Sequence, residues 1–289
     1  MVVMSSVSTI RTDMNTTATT GAPVIEWNAH IFSGDTERYP FHPRAVYTPN
    51  AARLSPDPLA DYLKRLAGEG IDRAVIVHPE PYGDDHRLVL DCLKREPERL
   101  RGTCLFYPDD RDAVSKLRAL VAQEPRLVAL RFHAHRGKEQ YLRSFDDEGV
   151  RAQWAAAAEL ALIVELHIGP NYAAQAEARI REFPGVPVLI DHLAEAKLGT
   201  PVEYADVLAL AAHKNVYMKL SGINHFASDA PLYESAQRFT RQVADAFGPD
   251  QLVWGSGTPK IVDTHLAHWS EAARAKVKGA NLARLLDWK

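Results

Sequence analysis

From residue 24 onward, short apolar runs rich in β-branched residues alternate with longer segments in which apolar residues recur every three or four positions. The short runs are typical of buried β-strands and the longer segments of amphipathic helices. The eight predicted strands are 24–31, 72–78, 102–107, 127–133, 161–167, 186–192, 215–220 and 251–256. Strands that alternate with helices form a parallel sheet, because each helix returns the chain to the same edge.

Two of the helical segments are especially clear, 58–70 and 230–248. In the first, the apolar residues fall on one face and Gly70 stands where the helix should end. Eight strand–helix units agree with the ~250 residues of a (β/α)8 barrel, whereas a doubly wound sheet needs fewer strands. We therefore predict an α/β protein with a single TIM-barrel domain over residues 23–289.

The composition is that of a globular domain and excludes several classes of partner. Hydrophobic residues make up 46% and charged residues 25% of the chain, and the formal net charge is −3, so no nucleic-acid partner is predicted. Apolar runs such as 160–164 are far shorter than the ~20 residues of a membrane span, so no membrane partner is predicted. The two cysteines have no metal-ligand or disulfide-framework spacing, which favours a cytoplasmic location.

The first 22 residues differ from the rest of the chain. They are rich in Ser and Thr and contain no apolar stretch long enough for a secretory signal. We predict a disordered leader over residues 1–22. The sequence leaves the oligomeric state open, a homo-oligomer included.

Polar residues at the carboxyl ends of the strands are the candidates for chemistry, because the active site of a TIM barrel forms there. Four predicted strands end in His30, His133, His167 and His192. A lone histidine is most often a satisfied core residue, but four at one end of the barrel would each need a buried partner, so they predict a functional pocket. For His42, His86, His213 and His268, which fall in predicted loops or on helix surfaces, a structural role is expected.

Motifs around these positions follow one another in a characteristic order. NAHIFSGDTERYPFHPRAVYTP follows strand one, VALRFHAHRG, VELHIGP and VLIDHLAEA mark strands four to six, and VYMKLSGI and LVWGSGTP mark strands seven and eight. Through them, residues 24–288 resemble the amidohydrolase superfamily, specifically the amidohydrolase-2 branch with the 2-pyrone-4,6-dicarboxylate lactonase and the sugar-lactone hydrolases and isomerases. The resemblance implies a TIM barrel that acts on a lactone.

Two positions depart from the pattern of this branch. It usually opens with two histidines one residue apart, where this chain has Asn28 and His30, and it usually has an aspartate at the end of strand eight, where this chain has Gly257. In metal-dependent relatives these residues hold the metal, and the aspartate accepts the proton of the attacking water. His30 and His167 alone could hold a divalent metal only weakly, since a catalytic zinc normally has three protein ligands. The lactonase group itself works without metal, so we predict no cofactor and no metal ligand.

A lactone site without metal still needs proton-transfer groups and a cation for a substrate carboxylate. Arg131 offers a planar fork for a carboxylate, an ion pair on the barrel rim being the alternative. Lys219 could stabilise an oxyanion, or act as a base if burial lowers its pKa, a structural role being the alternative. The predicted catalytic residues are Asn28, His30, His167, His192 and Lys219, and the predicted substrate-binding residues are Tyr47, Tyr82, Arg131, His133 and Asn224.

Strand six and the loops leave further alternatives open. If strand alternation turns His192 toward the pocket, Asp191 should point outward to the helices. Tyr47 and Tyr82 follow strands one and two in long loops and are predicted to cover the substrate, ordinary loop packing being the alternative.

The favoured function is hydrolysis of a small carboxylated lactone or cyclic ester, or its isomerisation, with an acidic small molecule as the partner. A decarboxylase or other carbon–carbon lyase is the second hypothesis, because a relative of this fold removes carboxylates from aromatic acids. A catalytically silent barrel that binds an acidic ligand is the third.

Overall fold

Eight parallel strands form the centre of the computed structural model, which describes residues 21–134 and 141–288. The strands are β1 (Ile25–Ala29), β2 (Arg73–Ile76), β3 (Leu100–Cys104), β4 (Leu127–Ala134), β5 (Ile163–Ile168), β6 (Val188–Ile190), β7 (Val216–Leu220) and β8 (Leu252–Trp254). Each strand is hydrogen-bonded to the next, and β1 lies beside β8, so the predicted TIM barrel is confirmed. The predicted leader, apart from residues 21 and 22, lies outside the described residues.

Helices follow the strands and pack against the barrel. They are α1 (Pro58–Glu69), α2 (Arg87–Arg95), α3 (Ala113–Gln123), α4 (Glu148–Glu159), α5 (Ala173–Glu182), α6 (Pro201–Ala209), α7 (Gln237–Phe247), α8 (Lys260–His265), α9 (Glu271–Ala275) and α10 (Asn281–Leu285). The prediction of α1 is confirmed, because Asp57 caps its first turn and Gly70, at φ 66°, ends it in the left-handed conformation. No helix in these two stretches is long and apolar enough to cross a membrane.

The helix predicted over 230–248 is wrong at its amino end, because α7 begins only at Gln237. The carboxylate of Asp229 accepts hydrogen bonds from the backbone N–H and the hydroxyl of Ser235 at 3.0 and 2.7 Å. These bonds hold the intervening residues in a turn, a usual alternative to helix for such side chains. The carboxyl end of the helix agrees with the prediction.

Two apolar layers hold the barrel together. On the outer face of the strands, fully buried side chains such as Leu66, Leu93 and Trp154 pack between sheet and helices. On the inner face, a plug fills the barrel; it contains Ile25, Trp27, Val75, Val77, Ala129, Ile163, Leu189 and Val253. Each large side chain of this kind contributes about 1.5–3 kcal/mol when fully buried. The plug forms a firm base under the polar residues at the carboxyl ends of the strands.

Candidate active site

The first strand ends in a β-bulge that brings Asn28 to the inside of the barrel. Trp27 and Ala29 pair with successive residues of β2, so Asn28 between them is an extra residue. Trp27 belongs to the inner plug, and strict alternation would therefore place Asn28 on the outer face. The bulge instead allows Asn28 and His30 to line the same internal cavity.

Four charged side chains form a buried layer next to the plug. Arg131, Glu165, Asp191 and Lys219 come from β4, β5, the end of β6 and β7, and each is at most 1% exposed. The ammonium of Lys219 contacts Glu165 and lies 2.6 Å from Asp191. Nη2 of Arg131 lies 2.9 Å from the second oxygen of Asp191. This ionic layer holds the guanidinium of Arg131 in place at the floor of the cavity.

The protonation of the ionic layer sets its charge. Burial, and after it the charge of Asp191, raises the pKa of Glu165, whereas Lys219 and Arg131 lower it. The resulting pKa is about 7. Although burial alone would raise it, the pKa of Asp191 is below its usual range because Lys219 and Arg131 stabilise the carboxylate. Near neutral pH, two cations therefore face one carboxylate and a second that is partly protonated. The raised pKa of Glu165 makes the layer less negative than two ionised carboxylates would, which favours an anionic ligand.

A left-handed turn at the end of β6 brings neighbouring side chains to the same site. Residues 192–195 have φ values between 50° and 54°, a conformation that costs roughly 1–2 kcal/mol for each non-glycine residue. Asp191 keeps the inward direction of Leu189, two residues earlier, while the turn directs His192 into the cavity wall as well. The prediction that Asp191 points outward is therefore wrong, because strand alternation ends before this turn. Burial lowers the pKa of His192 well below its usual value.

Hydrogen bonds define the tautomers of two further imidazoles. Nδ1 of His30 lies 3.0 Å from the carbonyl oxygen of Val77, which can only accept, so Nδ1 donates and Nε2 keeps a lone pair. Burial lowers the pKa of His30 to about 3, so the ring is neutral at pH 7. Nδ1 of His167 accepts from Arg131 at 2.9 Å, so its Nε2 carries the proton and donates to Glu195 at 3.2 Å.

The ionic layer and these imidazoles enclose a cavity of about 420 Å³. Eight predicted site residues line it: Asn28, His30, Tyr47, Arg131, His133, His167, His192 and Asn224. Tyr82 lies behind the wall, 1% exposed, because its hydroxyl accepts a hydrogen bond from Ser33 N at 2.9 Å and its ring packs on Phe41. Tyr82 is therefore a packing residue of the loop and does not cover the cavity. Lys219, predicted to be catalytic, is not among the residues that line the cavity and lies in the ionic layer, where it pairs with Glu165 and Asp191.

Three ionisable residues of this region were not predicted from the sequence: Glu80, Glu195 and His225. Glu80 is 2% exposed, lines the cavity and accepts a hydrogen bond from Val46 N at 3.2 Å. His225 lines the cavity from a short turn after β7, and Glu195 lies behind it. The one local signal was a charged residue inside the apolar segment 193–196, which indicates a buried carboxylate with partners.

A pair of buried histidines supports the loop that contains Glu80. The rings of His78 and His86 lie 4.4 Å apart, and Nε2 of His78 donates to Gly83 O at 2.8 Å. His86 lies in the loop before α2 and has the expected structural role. It is 5% exposed, because its Nε2 accepts a hydrogen bond from Leu105 N at 3.1 Å.

Acid should destabilise the protein through His78. Burial lowers the pKa of His78 to about 4, whereas the unfolded ring titrates near 6.5. Between these values only the unfolded chain binds the proton, so the stabilisation is complete above pH 6.5 and falls by about 3 kcal/mol at pH 4. We expect urea unfolding to show this loss. In His78→Gln, the slope of the unfolding free energy against pH should fall by the equivalent of one proton. The control Gln123→Ala, at an exposed residue that does not titrate, should keep the full slope. Equal slopes in all three proteins would contradict the assignment.

Comparison with known protein families gives a match that spans most of the chain. Residues 13–288 match the Amidohydrolase family. The chain belongs to this family. This amidohydrolase is 27% identical over 242 residues to the 4-sulfomuconolactone hydrolase of Hydrogenophaga intermedia, an alignment that covers 82% of this chain and 75% of the relative. It is 28% identical over 200 residues to the L-fucono-1,5-lactonase of Burkholderia ambifaria, with 67% of each chain covered.

A solved structure shows the same fold. It is described as a probable 2-pyrone-4,6-dicarboxylic acid hydrolase from Acinetobacter baumannii with citric acid bound. The two chains superpose with a TM-score of 0.75 at 20% identity, covering 91% of this amidohydrolase and 99% of the other chain. The likeness confirms the barrel.

Metal-dependent members of the superfamily raise the question whether this amidohydrolase has a metal site. Among the described residues, His167, Asp191 and His192 have ligand atoms within 4.8 Å of one another. Both oxygens of Asp191 already face cations, Lys219 at 2.6 Å and Arg131 at 2.9 Å, and Nδ1 of His167 accepts from the same guanidinium. A divalent ion would meet two positive charges and would have to displace them. These residues do not fit a metal.

Gly257, at the position of the usual aspartate, does not restore a ligand. It is exposed, with φ 85°, where a side chain is strained. A Cβ would lie 2.6 Å from Cδ1 of Ile261. The neighbouring Ser256 lines the cavity instead.

Proposed function

We propose that this amidohydrolase hydrolyses a small lactone that carries a carboxylate, and that it does so without a metal. The proposal rests on the hydrogen bonds of the Arg131 guanidinium. Asp191 holds Nε and Nη2, whereas Nη1 makes no hydrogen bond with any described residue. A fixed guanidinium at the floor of a cavity is suited to a carboxylate. The names of the lactone hydrolase relatives support the same reaction class.

The cavity also supplies groups for ester chemistry. Water adds to the lactone carbonyl as an imidazole accepts its proton; the ring C–O bond then breaks and the leaving oxygen takes up that proton. Asn28 makes no side-chain hydrogen bond with the described residues, and its Oδ1 is buried. Its amide is available to donate to the carbonyl oxygen as negative charge develops there. A substrate hydroxyl in place of water would give the isomerised lactone by the same steps.

A panel of lactones tests this function. Five- and six-membered lactones with a free carboxylate, each paired with its methyl ester, are incubated with the protein, and acid release is followed with a pH indicator. We expect turnover of carboxylated members with a kcat/KM at least about tenfold above that of the esters, since one lost charge-assisted contact costs about 1.5–3 kcal/mol. Carbon dioxide release from aromatic acids would indicate a decarboxylase. Calorimetric binding without turnover would indicate a silent barrel, and either result would contradict the proposal.

A further inference from the structure

A carboxylate and an imidazole form a pair at the rim of the cavity. Glu195 is 3% exposed, and both of its oxygens lie near Nδ1 of His225, at 2.9 and 3.1 Å. A carboxylate hydrogen-bonded to an imidazole nitrogen in this way accepts, so Nδ1 of His225 carries the proton. Nε2 of His225 has no hydrogen-bond partner within residues 21–134 and 141–288, and the ring lines the cavity.

We propose that His225 is the proton acceptor of the hydrolytic reaction and that Glu195 is its positioning residue. The pair replaces the carboxylate that this chain lacks at the end of strand eight; the inference rests on the lactone hydrolysis proposed above. Nε2 of His225 accepts a proton from water as the water oxygen bonds to the carbonyl carbon. The imidazolium returns it to the ring oxygen as the C–O bond breaks. Glu195 stabilises the transient imidazolium and fixes the tautomer, as carboxylates do in catalytic triads.

Three other imidazoles of the cavity, His167, His30 and His192, are less suited to this role. Both ring nitrogens of His167 are engaged, Nδ1 by Arg131 and Nε2 by Glu195. Nδ1 of His30 donates to a carbonyl, and burial lowers the pKa of this ring to about 3, which makes it a weak base. His192 bonds to the hydroxyl of Ser221 at 2.8 Å and has no carboxylate partner at either ring nitrogen among the described residues.

The backbone is shaped to bring the pair together. The left-handed turn after β6 directs Glu195 toward the turn Ile223–His225 that follows β7. Gly222 precedes that turn at φ 60°, and a Cβ there would lie 2.6 Å from Nδ1 of His192. The ring of His192 stands at 68° to that of His225, with 5.2 Å between centroids, and so limits its rotation. With 28% of its side chain exposed, His225 can also exchange protons with solvent.

Two single variants and their combination test the pair. Glu195→Gln and His225→Gln should each lower kcat for the best lactone about 10²–10³-fold, with KM within about threefold, because general-base catalysis supplies about 10²–10⁴-fold. The double variant should be no slower than the slower single variant, since the two residues act as a unit. The matched control is His213→Gln, at a surface histidine 3.1 Å from Glu177, which should leave kcat unchanged. Imidazole added to His225→Ala should restore part of the rate and should not do so in Glu195→Gln.

The outcomes separate this inference from the proposed function. If kcat of each single variant stays within about threefold of the parent, or if the losses of kcat add in the double variant, the His225–Glu195 pair is overturned while lactone hydrolysis stands. If the parent hydrolyses no lactone, the proposed function fails. Nitrogen-15 spectra of histidine-labelled protein then decide the pair without turnover. A proton on Nδ1 of His225 whose resonance moves in Glu195→Gln supports it, and a ring protonated on Nε2 alone overturns it.

Discussion

Replacing Arg131 with methionine is expected to lower kcat/KM for a carboxylated lactone about a thousandfold. The guanidinium is fixed by Asp191 at 2.9 Å and is 1% exposed, so its contact with a substrate carboxylate is desolvated. Removing one partner of such a pair costs about 2–5 kcal/mol, and about 4 kcal/mol corresponds to a thousandfold. Methionine keeps most of the volume and removes the charge. Steady-state kinetics with a carboxylated lactone and its methyl ester measure the effect.

Two controls identify the source of this loss. Arg131→Lys keeps the charge without the planar fork and should recover only part of the rate. Arg118→Met removes an exposed arginine that pairs with Glu159 and should leave the kinetics unchanged. Circular dichroism and urea unfolding establish that each variant is folded at the assay temperature. Parental kinetics in a folded Arg131→Met protein would show that the guanidinium is structural and that the anion-binding assignment is wrong.

Replacing Lys219 with methionine is expected to destabilise the barrel by about 3–5 kcal/mol. The ammonium contacts Glu165 and lies 2.6 Å from Asp191, and all three side chains are fully buried. Removing one partner of a buried ion pair leaves an uncompensated charge, which costs about this much. Urea unfolding at pH 7 and at pH 5.5 measures it. The loss should be smaller at the lower pH, because the raised pKa of Glu165, about 7, lets this carboxyl take up a proton.

A second variant and a surface control make this result specific. Adding Glu165→Gln to Lys219→Met removes one of the two buried carboxylates that the ammonium contacted and should recover part of the stability. Lys276→Met breaks an exposed pair with Asp250, 2.7 Å apart, and should change the unfolding free energy by less than about 1 kcal/mol. A stable Lys219→Met protein that lacks activity would contradict the structural role and restore Lys219 as a candidate catalytic residue.

The barrel and much of the cavity wall could be predicted from the sequence, because strand position determines both. His30, His133, His167 and His192 each follow or end an apolar run, and all four line the cavity. The carboxyl ends of parallel strands meet on one face of a TIM barrel, so residues far apart in sequence converge there without further information.

The details of the site depend on backbone features that periodicity does not reveal. The bulge at Asn28 and the left-handed residues 192–195 both interrupt alternation. The turn at 192–195 brings His192 into the cavity wall while Asp191, predicted to point outward, keeps its inward direction. Glu195 and His225 lie in connections after β6 and β7, where no strand or helix pattern constrains side chains. Tyr82 was misplaced for the same reason, since only the fold shows that its hydroxyl meets Ser33.

Metal-free hydrolysis in the Arg131 cavity is checked by comparing the rate of lactone hydrolysis of the same protein before and after dialysis against a strong chelator, with zinc and manganese measured in both samples. We expect well under one equivalent of either metal, an unchanged kcat/KM for the best carboxylated lactone, and no stimulation by added zinc, because cations already face both oxygens of Asp191. A stoichiometric ion, with activity that disappears on chelation and returns with zinc, would contradict metal-free hydrolysis.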